Sequence, residues 1–207
     1  MDILDSVEVR WFLAEDAPGL AAARAWFARV SPEPRRTDEY LLTGRGDVGF
    51  KARRIDGDPV KLETKYRLEE LGPLSVGRGV VGHAERWRKL SLSAEDPKLR
   101  AQGAWRALEK KRWLCRYAFE GGAVREVAGK ERLPVGCGLE LTELRWQSQA
   151  GEPRVDWTLA LEAFGEGAQL SEVIQAAYRA ASEAGLTVEL GPELSQSYPA
   201  WLEGSAA

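Results

Sequence analysis

The residues best equipped for chemistry in this chain are charged side chains spaced two apart. Glu8 and Arg10 stand in Val7-Glu8-Val9-Arg10, and Lys51 and Arg53 in Gly49-Phe50-Lys51-Ala52-Arg53. Lys61 and Lys65 follow in Lys61-Leu62-Glu63-Thr64-Lys65, then Arg86 and Arg88, Arg112, Glu140 and Glu162. Side chains two apart share one face of a β-strand. On an open sheet such a face is simply solvated. In a closed barrel the same residues point into a lumen, where an isolated charge costs several kcal/mol. The cations then need water, carboxylates or a polyanion. Phosphate chains suit them, because Arg forks grip phosphate oxygens in pairs and Lys adds compact charge.

The surrounding pattern supplies strands to carry these residues. In Asp5–Leu13, apolar Val7, Val9 and Trp11 alternate with Ser6, Glu8 and Arg10. A helix is expected from Asp16 or Pro18 to about Val30, with Leu20, Ala23, Trp26, Phe27 and Val30 at helical spacing. Arg35–Thr43 and Val48–Ile55 read as strands joined by the turn Gly44-Arg45-Gly46-Asp47, and Val60–Leu68 alternates cleanly. Leu71–Val81 reads as a glycine-rich irregular connection or bulge, and His83–Leu92 as a strand with Arg86 and Arg88 on one side. Pro97–Leu108 reads as a helix. Strands follow at Lys110–Phe119, Leu139–Trp146 and Val155–Phe164, then an amphipathic helix over 168–184 stopped by Gly185. About eight strands with short turns and few helices predict an α+β fold, a mainly antiparallel eight-stranded β-barrel or tunnel with flanking helices. The whole of 1–207 reads as one domain, with 186–207 a tail packed on the core through Tyr198 and Trp201.

The 207 residues are 44% hydrophobic and 29% charged, an ordinary globular balance. No apolar run approaches the ~20 residues needed to cross a bilayer. The opening Met1-Asp2-Ile3-Leu4-Asp5 lacks the basic and apolar regions of a signal peptide. Cys115 and Cys137 share no CxxC, so reduced, buried thiols and a cytoplasmic setting are expected. The net charge of −3 hides an uneven spread: residues 35–132 carry 23 Lys and Arg against 15 Asp and Glu, and residues 133–207 carry 3 against 11. The basic middle and acidic end can neutralise each other, or meet at one site that holds an anion and a metal cation.

The charged segments named above, with Asp38-Glu39-Tyr40-Leu41, Lys111-Arg112-Trp113 and Leu159-Ala160-Leu161-Glu162-Ala163, occur in an order that resembles the triphosphate tunnel metalloenzymes, the CYTH-like superfamily, over residues 3–185. The resemblance implies an antiparallel eight-stranded tunnel that binds a triphosphate through inward Arg and Lys while inward glutamates hold divalent metal. Carried onto this chain, it gives Lys51, Arg53, Arg86 and Arg88 as phosphate-holding residues, with Arg10, Lys65 and Arg112 in support. It gives Glu8 and Glu162 as catalytic metal anchors, joined by Glu140, for Mg²⁺ or Mn²⁺. The family opens with Glu-x-Glu-x-Lys, and here those positions are Ser6, Glu8 and Arg10. The first glutamate is gone, and Arg for Lys changes geometry at constant charge.

Three functions follow as expectations. The first is a metal-dependent phosphohydrolase acting on a triphosphate-containing small molecule. The second is a catalytically weakened relative that binds a phosphorylated ligand or nucleotide. The third is a nucleic-acid-binding or structural β domain. Lone His83 has no Ser or Cys partner in the pattern, and Gly72–Gly82 lacks the GxxxxGK[ST] of a phosphate loop. Trp26, Trp113 and Trp157 fall on apolar faces and read as core rather than base-stacking platforms, so the expected partner is a small polyanion, with no membrane and nucleic acid disfavoured.

Overall fold

The computed structural model describes residues 2–54, 60–94, 103–128, 131–167 and 169–205. Nine strands and three helices run in the order β1 (Asp2–Ala14), α1 (Pro18–Phe27), β2 (Arg36–Leu41), β3 (Val48–Arg54), β4 (Val60–Gly77), β5 (Val80–Ala94), β6 (Trp105–Glu120), β7 (Ala123–Val127), β8 (Gly136–Gln147), β9 (Pro153–Phe164), α2 (Leu170–Glu183) and α3 (Tyr198–Gly204). Every strand pairing is antiparallel, in the order β2-β3-β4-β5-β1-β9-β8-β6-β7. A further pairing between β2 and the first half of β6, from Arg36 opposite Lys110 to Leu41 opposite Trp105, closes eight of these strands into a barrel. β7 pairs only with the far end of β6, from Arg116 to Glu120.

The barrel is polar inside and apolar outside along half its wall. Odd residues of β1 (Val7, Val9, Trp11) point outward and pack with Leu139, Leu141, Leu159 and Leu161 against two helices. α1 contributes Leu20, Ala23, Trp26 and Phe27, and α2 contributes Val173, Ile174, Ala177, Tyr178 and Ala181. The three-and-four spacing of those residues gives each helix one apolar stripe, which is what fastens it to the sheet. Even residues of β1 therefore face the lumen. A second cluster, Phe12, Tyr40, Leu108 and Leu144 with Trp201 and Leu202, fills the lumen beyond Arg10. There the C-terminal segment is stitched on: the Gln196 amide donates to the Arg10 carbonyl, and the Trp201 ring stacks on Phe12 at 4.8 Å.

Two expectations change. The helix expected over Pro97–Leu108 is not formed by its last four residues, because Trp105–Leu108 begin β6 and make the pairing that closes the barrel. The rest of that segment is described only at 103–104 and lies otherwise outside the described residues. The stretch Leu71–Val81, expected as an irregular connection or bulge, is bulged strand rather than connection: it forms the tip of a long β4–β5 hairpin, turning at Arg78-Gly79, with register shifts between Glu70 and Gly72 and between Ser75 and Gly77. Gly79 takes φ +71, the left-handed conformation this turn needs. Cys115 and Cys137 are free and buried, as expected. No helix among the described residues is long and apolar enough to cross a membrane.

Candidate functional site: a cationic tunnel

The inward positions of neighbouring strands converge on a cavity of about 140 Å³. It is lined by Glu8 and Arg10 from β1, Arg36 and Tyr40 from β2, Gly49, Lys51 and Arg53 from β3, and Glu63 and Lys65 from β4. Lys89 from β5, Lys110 and Arg112 from β6, Glu140 from β8 and Glu162 from β9 complete the wall, with Tyr198 and Pro199 reaching in from α3. Gly49 admits the tail, since a Cβ there would stand 3.1 Å from the Pro199 ring. The space is far below the ~300–1,000 Å³ of drug-sized pockets, so it suits a small ligand.

Eight Lys and Arg meet four Glu around this cavity, a surplus of four cations, and fully buried Asp38 with Glu33, which pairs with Arg112 and Arg36, reduces it to two. Asp38 lies 3.4 Å from Lys51, 3.4 Å from Arg53 and 3.5 Å from Lys110. Lys51 and Arg53 also reach Glu63, at 2.8 and 3.1 Å. Across the lumen, Lys65 pairs with Glu8 and lies 3.4 Å from Glu162, which also accepts the Ser6 hydroxyl at 2.9 Å. Arg10 donates to Glu8 and to Glu140, each at 2.8 Å, while Arg112 holds the other Glu140 oxygen at 3.3 Å. Among the described residues, Lys89 has no carboxylate within ion-pair distance.

Electrostatics follow from these distances. Burial pushes the Glu8 carboxyl up, but Lys65 and Arg10 outweigh it and bring it down to about 2. Glu63 is likewise held at about 2, burial being outweighed by Lys51 and Arg53, and Glu140 lies well below the carboxylate range through Arg10 and Arg112. Burial lowers Lys51 and Lys65, yet their anionic neighbours leave both above the usual lysine value. Lys110 is the exception. Its burial dominates and its ammonium lies below the usual value, although it donates to the Tyr40 hydroxyl at 2.7 Å and sits 3.9 Å from the Tyr198 ring centre.

Of the residues singled out in the sequence, Glu8, Arg10, Lys51, Arg53, Lys65, Arg112, Glu140 and Glu162 are brought together in this wall. Arg86 and Arg88 are not. Arg86 pairs across β1 with outward-facing Val7, stands 49% exposed and reaches Glu69 at 3.6 Å. Arg88 grips Asp5 on the outer face with two contacts of 2.6 Å. Their strand presents Glu85, Trp87 and Lys89 inward instead, one residue out of phase with the expectation. Sequence reasoning also missed Arg36, Asp38, Glu63, Lys89, Lys110 and Tyr198 as members of the site. Lys110 was the most accessible of these, standing two residues before Arg112 on one strand.

The glutamates do not fit a divalent cation as they stand. A Mg²⁺ or Mn²⁺ site needs several oxygen ligands with free lone pairs converging on one point. Among the described residues no three or more acidic, His or Cys side chains converge in this way, and Glu8, Glu140 and Glu162 are each engaged by Arg or Lys.

No family model matches the chain, and no curated protein matches it. Solved structures do. One is a conserved hypothetical protein from Pyrococcus furiosus, 15% identical over 94% of this chain and 98% of that one, with a TM-score of 0.49. Another is the S. pombe Pct1 RNA triphosphatase, 12% identical, with 91% of this chain and 86% of that one covered and a TM-score of 0.46. In its complex with the Spt5 CTD the same enzyme is again 12% identical, covering 90% and 81%, with a TM-score of 0.46. These likenesses are remote.

Proposed function

We propose that this protein binds a short oligophosphate, such as triphosphate or the phosphate tail of a nucleotide, inside the barrel. The observation that carries the reading is the surplus of cations around a small cavity. Buried charge of one sign is costly until a counterion neutralises it, and an oligophosphate supplies several negative charges on oxygens that Arg forks and Lys ammonium groups match. Inward placement of these groups disfavours nucleic-acid binding, since a polynucleotide duplex cannot enter the tunnel. Hydrolysis has weaker support than binding, because the carboxylates the family resemblance would assign to metal are engaged by cations.

The test combines differential scanning fluorimetry with phosphate release. Tripolyphosphate at about 100 times its Kd is expected to stabilise the fold by about 2.7 kcal/mol, roughly 5–10 °C in Tm for a chain of this size. Lys51→Ala combined with Arg53→Ala removes most of that shift. Phosphate release from tripolyphosphate or ATP stays at background with Mg²⁺, Mn²⁺ or chelator. An unmoved Tm rejects the binding reading; metal-dependent turnover restores the phosphohydrolase.

A further inference from the structure

Arg10 is the most deeply buried of the arginines that line the lumen. β1 places it two residues after Glu8, so both project inward from one strand. Its Nε donates to Glu8 Oε1 at 2.8 Å, and its Nη1 donates to Glu140 Oε1 at 2.8 Å and to Thr158 Oγ1 at 2.9 Å. Its guanidinium carbon lies 4.4 Å from the centre of the Tyr198 ring, a cation–π contact that closes one face. The side chain is 6% exposed. Two carboxylates on separate strands are thus bridged by an organic cation. The remaining oxygens of both are taken as well, Glu8 by Lys65 and Glu140 by Arg112.

The guanidinium is not exhausted by this. Nε and Nη1 have partners, whereas Nη2 has none among the described residues, and the residue lines the cavity. A fixed, buried donor with unspent hydrogens is what an incoming phosphate oxygen requires. Lys could not do the same, because a single ammonium cannot hold two carboxylates in a plane and present a third edge.

Resting on the oligophosphate reading above, we infer that Arg10 is the tunnel's permanent countercation, doing the bridging that a divalent metal would otherwise do, and that the ligand is therefore the metal-free oligophosphate. Mg²⁺ then opposes binding. It cancels two of the ligand's negative charges, and its hydrated ion would enter a wall of Lys and Arg whose glutamates each already face a cation.

Isothermal titration of sodium tripolyphosphate into the full chain distinguishes the alternatives, with one arm in chelator and one in excess MgCl₂ at matched ionic strength. The expected result is binding in chelator that weakens at least about tenfold in Mg²⁺, and no bound Mn²⁺ by electron paramagnetic resonance when MnCl₂ is the only addition. Equal or tighter binding with Mg²⁺, or stoichiometric Mn²⁺ on the protein alone, overturns this inference while leaving the oligophosphate reading intact. No binding in either arm overturns both. Arg10→Lys keeps a buried charge for Glu8 and removes Nη2; the folded variant is expected to lose about tenfold in chelator, and unchanged affinity overturns the role of the guanidinium.

Discussion

Asp38 is fully buried, and four cations surround it: Arg36, Lys51, Arg53 and Lys110, all within 3.5 Å. Burial alone would raise its carboxyl; Lys51, Lys110, Arg36 and Arg53 together hold it far below the carboxylate range. Removing one partner of a buried ionic set leaves uncompensated charge, so Asp38→Ala should cost about 3–5 kcal/mol in urea denaturation. Tripolyphosphate should then recover more Tm in this variant than in the parent, because the anion replaces the missing charge. A loss below about 1 kcal/mol would show that water reaches the cluster. Arg86→Ala gives the contrasting case. Its outer-face pair with Glu69 is exposed and worth roughly 0–1 kcal/mol, so tripolyphosphate affinity should be unchanged by calorimetry. A measurable loss would place Arg86 in the path of the ligand. The sequence displayed the right residue types here without their order of importance. Asp38 and Glu39 are adjacent acids, and only the pairing of β2 with β3 and β6 decides which of them turns inward.

At the level of elements, phase was the information that alternation alone did not contain. β1, β3 and β8 were legible because each has an apolar face under a helix or neighbour and a charged face opposite. β5 was not. Its outward side is buried in the core at Val80 and Ala84 but turns to solvent at Arg86 and Arg88, and its inward side carries Trp87 and Lys89. Charge on one side of that strand therefore marked solvent, while the same mark on β3 identified the lumen. Trp105–Leu108 failed for a different reason: their strand state depends on pairing with β2, some 65 residues earlier in the chain, and tertiary pairing overrides local preference. The rings of the C-terminal segment pack on the barrel. α3 sets Trp201 against Phe12 and Trp146, at 4.8 and 5.4 Å between ring centres. Trp201→Ala should cost about 3–5 kcal/mol and raise the fluorescence of an apolar dye by uncovering Phe12, Leu108 and Leu144. A stability change under about 1 kcal/mol would mean that the tail rests on the barrel without holding it.

For the molecule as a whole, stability and ligand affinity depend on opposite features of one charge set. The carboxylates that neutralise the wall hold the empty barrel together, and under the proposed function the unmatched cations are what would draw the anion. Acid separates the two. Glu63 has its carboxyl at about 2 against an ordinary 4.5, because Lys51 and Arg53 outweigh its burial, and Asp38 lies lower still. A folded-state pKa below the unfolded one stabilises the fold fully above the unfolded value, and that contribution is lost as pH falls through the folded value. The urea midpoint should therefore stay nearly level from pH 7 to about 5, then fall between about 4.5 and 2. Glu63→Gln cannot ionise, so its midpoint should start lower at pH 7 and fall less steeply across that window. Folded Glu63 stays ionised well below pH 4, so Lys51 and Arg53 keep that partner, and tripolyphosphate should stabilise the parent no more at pH 4 than at pH 7. A midpoint that already declines between pH 7 and 5, or an equal decline in Glu63→Gln, would assign the acid sensitivity to groups outside the tunnel.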